Sequence, residues 1–471
     1  MADTSTPGKN TIHNPTDYQL EAINLMTSTQ DGPVNLMGFL VELNLFEDIY
    51  GSSISGQIML NDALGLISNF SLSGTEFIQI KLKKTVKDQF SFSRNFRVYK
   101  ITNRVTTESN NAELYTLNFC SEELLVSEQY RISKAFKGKK ISEIITSILK
   151  DYLKVGTGNT KKISISATQG TYDFVLPNKK IFDTISWLST YALPLPGVGV
   201  GADMLFFENA DGYWFKSLQE LYKQTVYRTF KYDPKNISDD LNQKVSNVYN
   251  FEVLDLFNTL GAISNGTFSN RVISIDPLLR TSKETDFNYD TYFGKSKNLN
   301  KASLTNNYKN RINKTMYDAP PKDLQAGTLR MVTTNSNQKK QPFIAGKPNS
   351  VGNDIFVETF MPNRVAQIAL ANYIRIKITV PGDPNLAVGK LIDFEIYAAT
   401  PSDYTTVKNK SNRIPDSLYS GKYVISALRH ILRNNSYITV MELCKESNVT
   451  AYAGFDNSNA ALKNLVNGNQ V

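Results

Sequence analysis

Phe39-Leu40-Val41-Glu42-Leu43-Asn44-Leu45, followed by Ile54-Ser55-Gly56-Gln57-Ile58-Met59-Leu60, alternates apolar and polar side chains at the two-residue period of a half-buried strand. Phe39, Val41, Leu43 and Leu45 share one face, with Glu42 and Asn44 on the other. Ile54, Ile58 and Leu60 repeat the pattern; Ser55 and Gln57 turn away, and Gly56 takes a place on the apolar side. Outward from this pair, the same alternation recurs in Ile78-Ile80-Leu82, Phe96-Val98 and Tyr115-Leu117-Phe119. Five short strands separated by turns predict a β-barrel or sandwich over residues 1–125.

The period then changes. Ile141, Ile144, Ile145, Ile148, Leu149, Tyr152 and Leu153 form one broad helical face, and a second helix is expected from about Lys180 to Tyr191. Met204 to Glu208 and Tyr213 to Ser217 read as a hairpin joined by Asn209-Ala210-Asp211-Gly212. Residues 126–250 are therefore expected to form a helix-containing α+β domain. Residues 251–350 read as a basic polar insertion or linker. Within them, Lys283 to Lys347 carries Lys295, Lys297, Lys301, Lys309, Arg311 and further cations against few acids, with no sustained apolar period. Such a stretch is a solvated loop or a contact for an acidic partner surface. Alternation returns at Ile374-Ile376-Ile378-Val380, then Ile392-Phe394-Ile396, Tyr423-Ile425-Ala427 and Tyr437-Thr439-Met441-Leu443, predicting a second β domain over 351–447. The polar residues 448–471 are expected to be a flexible tail. The fold class is thus β-rich α+β.

Composition narrows the function. A chain of 471 residues, 41% hydrophobic and 11% aromatic, can bury sizeable cores. Its two cysteines, Cys120 and Cys444, lie within amphipathic strands, so no disulfide framework is expected. Met1 to Pro15 lacks the apolar run of a signal peptide, and no stretch reaches the roughly 20 apolar residues of a membrane span. The formal charge is +8.

Catalytic chemistry is sparse. Only His13 and His430 could serve as a histidine base or ligand, and no HExxH, paired-cysteine or Gly-x-Ser-x-Gly pattern occurs, so no metal, cofactor or serine nucleophile is expected. Carboxylate pairs at Glu122/Glu123, Asp203/Glu208 and Asp239/Asp240 are the remaining candidates for glycan hydrolysis. Glu122 and Glu123 follow Ser121, where acids stabilise a helix start. Gly197-Val198-Gly199-Val200-Gly201 is glycine-dense like a phosphate loop, but it follows Pro194 and Pro196 and no helical pattern succeeds it. A flexible surface loop is the reading it supports.

The order of these elements resembles the baseplate hub proteins of contractile-tailed bacteriophages. The resemblance rests on Ile54-Ser55-Gly56-Gln57-Ile58-Met59-Leu60-Asn61-Asp62, on Ile132 to Leu153 around Phe136-Lys137-Gly138-Lys139, and on Phe206-Phe207-Glu208-Asn209 with Gly212-Tyr213. Leu418-Tyr419-Ser420-Gly421-Lys422-Tyr423-Val424-Ile425, with Ala427, His430 and Tyr437, completes it. Each motif is weak alone; their order and spacing carry the likeness, which type VI secretion spikes share in their first module. It implies two tube-like antiparallel β-barrel domains with small helix-containing domains between them. It further implies a non-enzymatic homotrimer with pseudo-six-fold symmetry that joins the tail tube, or a tube-initiator protein, to a three-fold central spike. Baseplate wedge proteins would be further partners, DNA would pass through the channel, and assembly in the host bacterial cytoplasm would place the chain in the virion's tail baseplate. The outer sheet face lines the channel in that family, which makes Glu42, Asn44, Gln57, Arg375, Lys377 and Thr379 the channel-facing candidates; otherwise they face water. The family's plan has no counterpart to the basic segment 283–347. The alternatives are the hub of a contractile toxin-injection particle, a tail-associated glycan-degrading enzyme, and a glycan- or nucleic-acid-binding module.

Overall fold

The computed structural model describes residues 19–27, 32–69, 72–83, 91–107, 112–156, 161–199, 201–233, 244–256, 258–277, 280–303, 329–333, 357–397, 415–416, 418–433 and 436–449. Among the described residues, thirteen strands hydrogen-bond into one sheet, and five smaller sheets accompany it. The first part of that sheet is built from β1 (Gln19–Met26), β2 (Val34–Asn35), β3 (Leu40–Asp48), β4 (Ser55–Asp62), β5 (Phe77–Lys83), β6 (Ser91–Thr107) and β7 (Ala112–Ser121), with the one-turn helix α1 (Leu66–Asn69) after β4. Its order is β3-β4-β7-β6-β5-β1-β2, antiparallel throughout. The two-residue period turns Leu43, Leu45, Ile58, Leu60, Ile78, Ile80, Leu117 and Phe119 inward to form one core. Gly56 belongs there because a Cβ would lie 2.2 Å from the Phe119 ring and 2.6 Å from the Asn44 carbonyl oxygen. The five expected strands correspond to β3–β7. The strand β1, whose alternation is broken by a register shift between Leu20 and Ala22, escaped the sequence pattern.

The next stretch runs α2 (Glu122–Gln129), β8 (Arg131–Ile132), β9 (Ala135–Lys139), α3 (Ile141–Asp151), β10 (Lys162–Ile165), β11 (Tyr172–Val175), β12 (Lys179–Lys180), α4 (Ile181–Ser189), β13 (Met204–Asn209), β14 (Gly212–Ser217) and α5 (Leu218–Tyr222). The helix α3 buries Ile141, Ile144, Ile145, Ile148 and Leu149. Each such side chain contributes roughly 1.5–3 kcal/mol by leaving water. They meet Ile181, Ile185 and Leu188 of α4 and Met204, Phe206, Tyr213 and Phe215 of the hairpin. Asn209 Oδ1 accepts from the N–H groups of Asp211 (3.0 Å) and Gly212 (3.3 Å), which sets the turn. At Gly212, φ is +143° and a Cβ would lie 2.2 Å from the carbonyl oxygen of Lys162, because β10 runs parallel beside β14.

The third stretch departs most from the sequence reading. It contains β15 (Thr229–Tyr232), β16 (Asn250–Leu256), α6 (Thr259–Ser264), β17 (Ser269–Asp276), β18 (Thr281–Asn288), α7 (Tyr289–Phe293), β19 (Ala302–Ser303), β20 (Leu329–Thr333), α8 (Val357–Ala371), β21 (Ile374–Pro381), β22 (Leu391–Ile396), β23 (Gly421–Arg433), β24 (Ser436–Lys445) and β25 (Ser447–Asn448). β16, β21, β24, β23, β22 and β15 are successive neighbours. Backbone bonds from Lys231 N–H to Ser246 O and from Val248 N–H to Lys231 O, both 2.9 Å, bring β15 back against the chain entering β16. This second sheet unit therefore draws on β15 and β16, which the sequence reading divided between a helical domain and a linker.

The described residues from 251 to 303 are correspondingly packed into the fold. Phe268, Phe287, Tyr289, Tyr292 and Leu299 are buried in the same core as Ile376, Phe394 and Met441. Long-range packing buries these irregularly spaced aromatics, so no local period announced them. The remainder of the basic segment, 304–328 and 334–347, lies outside the described residues, as do His13, Asp239, Asp240 and the expected tail from 450 onward. In the glycine-dense stretch, Gly197 is exposed in a turn, as a surface loop requires, whereas Gly201 is buried against α8, where a Cβ would meet the Gln367 side chain at 2.3 Å.

A last difference concerns β23. The alternation Tyr423-Ile425-Ala427 predicts a strand ending near Ala427, but β23 continues to Arg433. Its first half pairs with β22, and Ala427 to Arg433 pair with β3 from Asp48 to Glu42. One strand thereby belongs to both sheet units and fuses them.

Candidate functional site

Residues directly opposite one another in a ladder share a face, so the registers trace one surface across the fused sheet. Asn250, Glu252 and Asp255 on β16 oppose Thr379, Lys377 and Arg375 on β21. Thr379 and Lys377 oppose Val440 and Glu442 on β24, and Val440 opposes Arg429 on β23. Across the seam, Arg429 opposes Phe46, Ile431 opposes Asn44 and Arg433 opposes Glu42. Asn44 then opposes Gln57 on β4, which opposes Asn118 on β7. All six sequence candidates, three from each end of the chain, therefore stand on one continuous outer face. The shared strand β23 makes it continuous.

The face is polar and internally paired. Arg429 Nε donates to Asn44 Oδ1 at 2.9 Å, Asn44 Nδ2 donates to Glu42 Oε1 at 2.7 Å, and Arg429 and Arg433 approach Glu42 at 3.4 and 3.8 Å. Asn118 Nδ2 donates to Thr102 Oγ1 at 2.9 Å. On the second unit, Lys377 Nζ lies 2.5 Å from Glu252, Arg375 Nε donates to Asp255 at 2.9 Å, and Glu442 stands 4.0 Å from Arg375. The hydrogen bond to Asp255 holds the Arg375 guanidinium above its ordinary range. Asn44 is buried beneath these groups, Gln57 is exposed, and the other four candidates are half-buried. Arg429, Arg433, Glu252, Asp255 and Glu442 were missed from sequence. Extending the Tyr423-Ile425-Ala427 alternation would have set Arg429 and Arg433 on the apolar side; a register shift between Ile425 and Ala427 turns them outward, which no period announces.

Beneath the seam lies a buried polar cluster. His430 Nδ1 is 2.8 Å from the Tyr437 hydroxyl and 3.2 Å from Thr439 Oγ1, and burial drives the imidazole down to about 4. Glu47 accepts from Val388 N–H at 3.0 Å, and burial pushes its carboxyl up to about 8. Asp383 accepts from the Tyr227 hydroxyl at 2.8 Å and pairs with Arg228 at 2.9 Å. The cavity against Glu47 and His430 has a volume of about 10 Å³, room for one water at most.

The two described carboxylate pairs do not converge on a cleft. Asp203, pushed by burial up to about 6, accepts from Ser217 Oγ (2.7 Å) and Gln219 N–H (3.1 Å) inside the fold. Glu208 instead lies 2.7 Å from Lys161, which also reaches Glu123 at 2.5 Å, and the other Glu208 oxygen accepts from Ile54 N–H at 2.9 Å. Glu122 pairs with Arg97 at 3.0 Å. Cys120 and Cys444 are free, buried thiols. Among the described residues, no three His, Cys, Asp or Glu side chains gather as cation ligands, and no helix is long and apolar enough to cross a membrane.

No protein-family model matches the sequence. The chain is homologous to a protein named probable baseplate hub protein gp334 of Vibrio phage KVP40, with 21% identity over 428 residues covering 88% of this chain and 92% of that one. That relative bears the name of the family that the ordered motifs resemble. Among solved structures, the tail protein from Neisseria meningitidis MC58 matches with a TM-score of 0.49 and 8% identity over 90% of this chain and 96% of its own. The 43 kDa tail protein of prophage MuSo2 from Shewanella oneidensis matches with a TM-score of 0.48 and 7% identity over 90% and 98%.

Proposed function

We propose that the chain is the structural hub of a contractile phage baseplate: a homotrimer whose six sheet units form a pseudo-six-fold ring between the tail tube and a three-fold central spike. The observation that carries this reading is the β3–β23 seam, which sets two sheet units of one chain, antiparallel but for the β15–β22 pair, side by side with a common outer face. Three such pairs closing on themselves offer six comparable units to a six-fold tube and three identical chains to a three-fold spike. The outer face, with Glu42, Asn44, Gln57, Arg375, Lys377 and Thr379, then borders the channel through which DNA passes. Its charges are already paired with one another, which suits a wet wall that neither grips a polyanion nor sticks to apolar surfaces. The role is non-enzymatic, carried by interfaces with the spike, the tube or its initiator and the wedge proteins, and assembly takes place in the host cytoplasm.

The deciding measurement is the mass of the purified chain by light scattering at several concentrations, alone and with the spike protein of its own virus. A trimer, or a monomer that becomes one when the spike is added, is expected. A chain that stays monomeric with the spike and clears cell-wall material overturns the reading in favour of a tail-associated enzyme.

A further inference from the structure

Between residues 126 and 200 the chain carries eleven Lys and Arg against five Asp and Glu. Three of these cations, Arg131 on β8 and Lys179 and Lys180 on β12, border an open groove of about 450 Å³. Its other walls are Asp183, Ser186, Trp187 and Thr190 of α4 and its end. The backbone ladder between β8 and β12 pairs Lys180 with Arg131 and Lys179 with Ile132, so two short strands present the charges from one side while α4 presents the indole from the other.

We propose that this groove docks an acidic segment of a partner protein, with an apolar or aromatic residue of that segment lying on Trp187 between carboxylates that meet Arg131 and Lys179. Arg131 and Lys179 are exposed, and among the described residues neither makes an ion pair; Lys180 is engaged by Glu128. Lys179 stands 5.8 Å from the Trp187 ring, and the indole is wedged edge-on against Phe174 at 5.4 Å and Tyr191 at 5.5 Å. Arg131 donates to the Asn178 carbonyl oxygen at 3.3 Å and keeps its charge unpaired, and a held Trp beside an Arg is the combination enriched among residues that dominate binding energy at protein interfaces. Charge complementarity selects an acidic occupant. Asp183, exposed in the same groove, favours a peptide over a nucleic acid because it can accept from a peptide N–H, a donor that a phosphodiester backbone does not carry. The proposal is independent of the hub reading, since any binding partner with such a segment satisfies it.

The sequence has two tryptophans, Trp187 and Trp214, so in a Trp214→Phe background the emission reports Trp187 alone. The full-length variant is titrated with a ten-residue poly-glutamate peptide carrying one central Phe, at low and at physiological salt. A saturable change in Trp187 emission is expected, weakened several-fold by salt and abolished by Arg131→Glu with Lys179→Glu, two exposed positions whose exchange leaves the circular dichroism unchanged. Should Trp214→Phe fail to fold, anisotropy of the labelled peptide on the unaltered chain gives the same reading. No saturable binding, binding indifferent to the double charge reversal, or a single-stranded oligonucleotide held more tightly in the groove than the peptide each overturns the proposal.

Discussion

Opposite charges meet in two very different settings in this molecule. At the junction of the first sheet unit with the helical unit, Lys161 reaches Glu123 and Glu208 with side chains 9%, 7% and 1% exposed. On the outer face, Lys377 and Glu252 are 35% and 51% exposed. Burial works against the charge on Lys161, but Glu208 and Glu123 outweigh it and hold the amine above its ordinary value. The buried triad also satisfies the Ile54 N–H, so it fixes how the hairpin sits on β4. The outer pairs fix nothing comparable, because water can replace either partner. The first arrangement sets the orientation of units and the second sets the character of a surface.

Removing one member of each set sharpens the contrast. Glu208→Ala strips Lys161 of one of its two buried carboxylates and leaves Ile54 N–H without its acceptor; a loss of about 3–5 kcal/mol is expected in urea unfolding. A loss below about 1 kcal/mol would place the junction in the same class as the surface.

The seam cluster lies between these extremes. His430 takes up a proton near 6.5 when unfolded but only at about 4 when folded. Its contribution is therefore complete above about 6.5 and disappears as the pH falls through 4, a change of up to about 3 kcal/mol. Glu47 acts in the opposite direction: its carboxyl ionises near 4.5 unfolded and about 8 folded, so stability declines as the pH rises between those values. Urea unfolding at pH 6.5 and pH 4 should show His430→Gln losing less stability than the unaltered chain over that interval. Parallel losses would remove His430 from the account. The smallest effect is expected at the face, where Lys377→Ala should cost less than about 1 kcal/mol and should fade further in high salt.

What could be read from the sequence follows the same physical division. β3 to β7, α3, α4 and the β13–β14 hairpin each declare themselves through a local period or a turn, and Glu42, Asn44, Gln57, Arg375, Lys377 and Thr379 were found because alternation assigns a polar side to every strand. β15 did not, because it has four residues, nor did β16, whose alternation is broken by a register shift between Val253 and Asp255; their partners β22 and β21 lie more than a hundred residues away. The aromatics from Phe268 to Tyr292 were taken for a linker for the same reason: they fill space beneath distant elements instead of marking a period of their own. The Lys161 triad brings together positions 123, 161 and 208, a coincidence that no spacing rule contains. The groove at Trp187 likewise arises from two-residue strands too short to leave any pattern.

The strand shared by the two sheet units also gives the molecule a direction-dependent resistance to force. Rungs of an antiparallel ladder run across the strands, so a load drawing the units apart sideways opens the β3–β23 contacts in succession, like a zipper. A load along the strand axis must slide the whole register from Ala427–Asp48 to Arg433–Glu42 at once. Because the covalent chain of β23 also runs into the second unit, that axis is the stiff one, and a sudden axial recoil would pass through the seam without parting it.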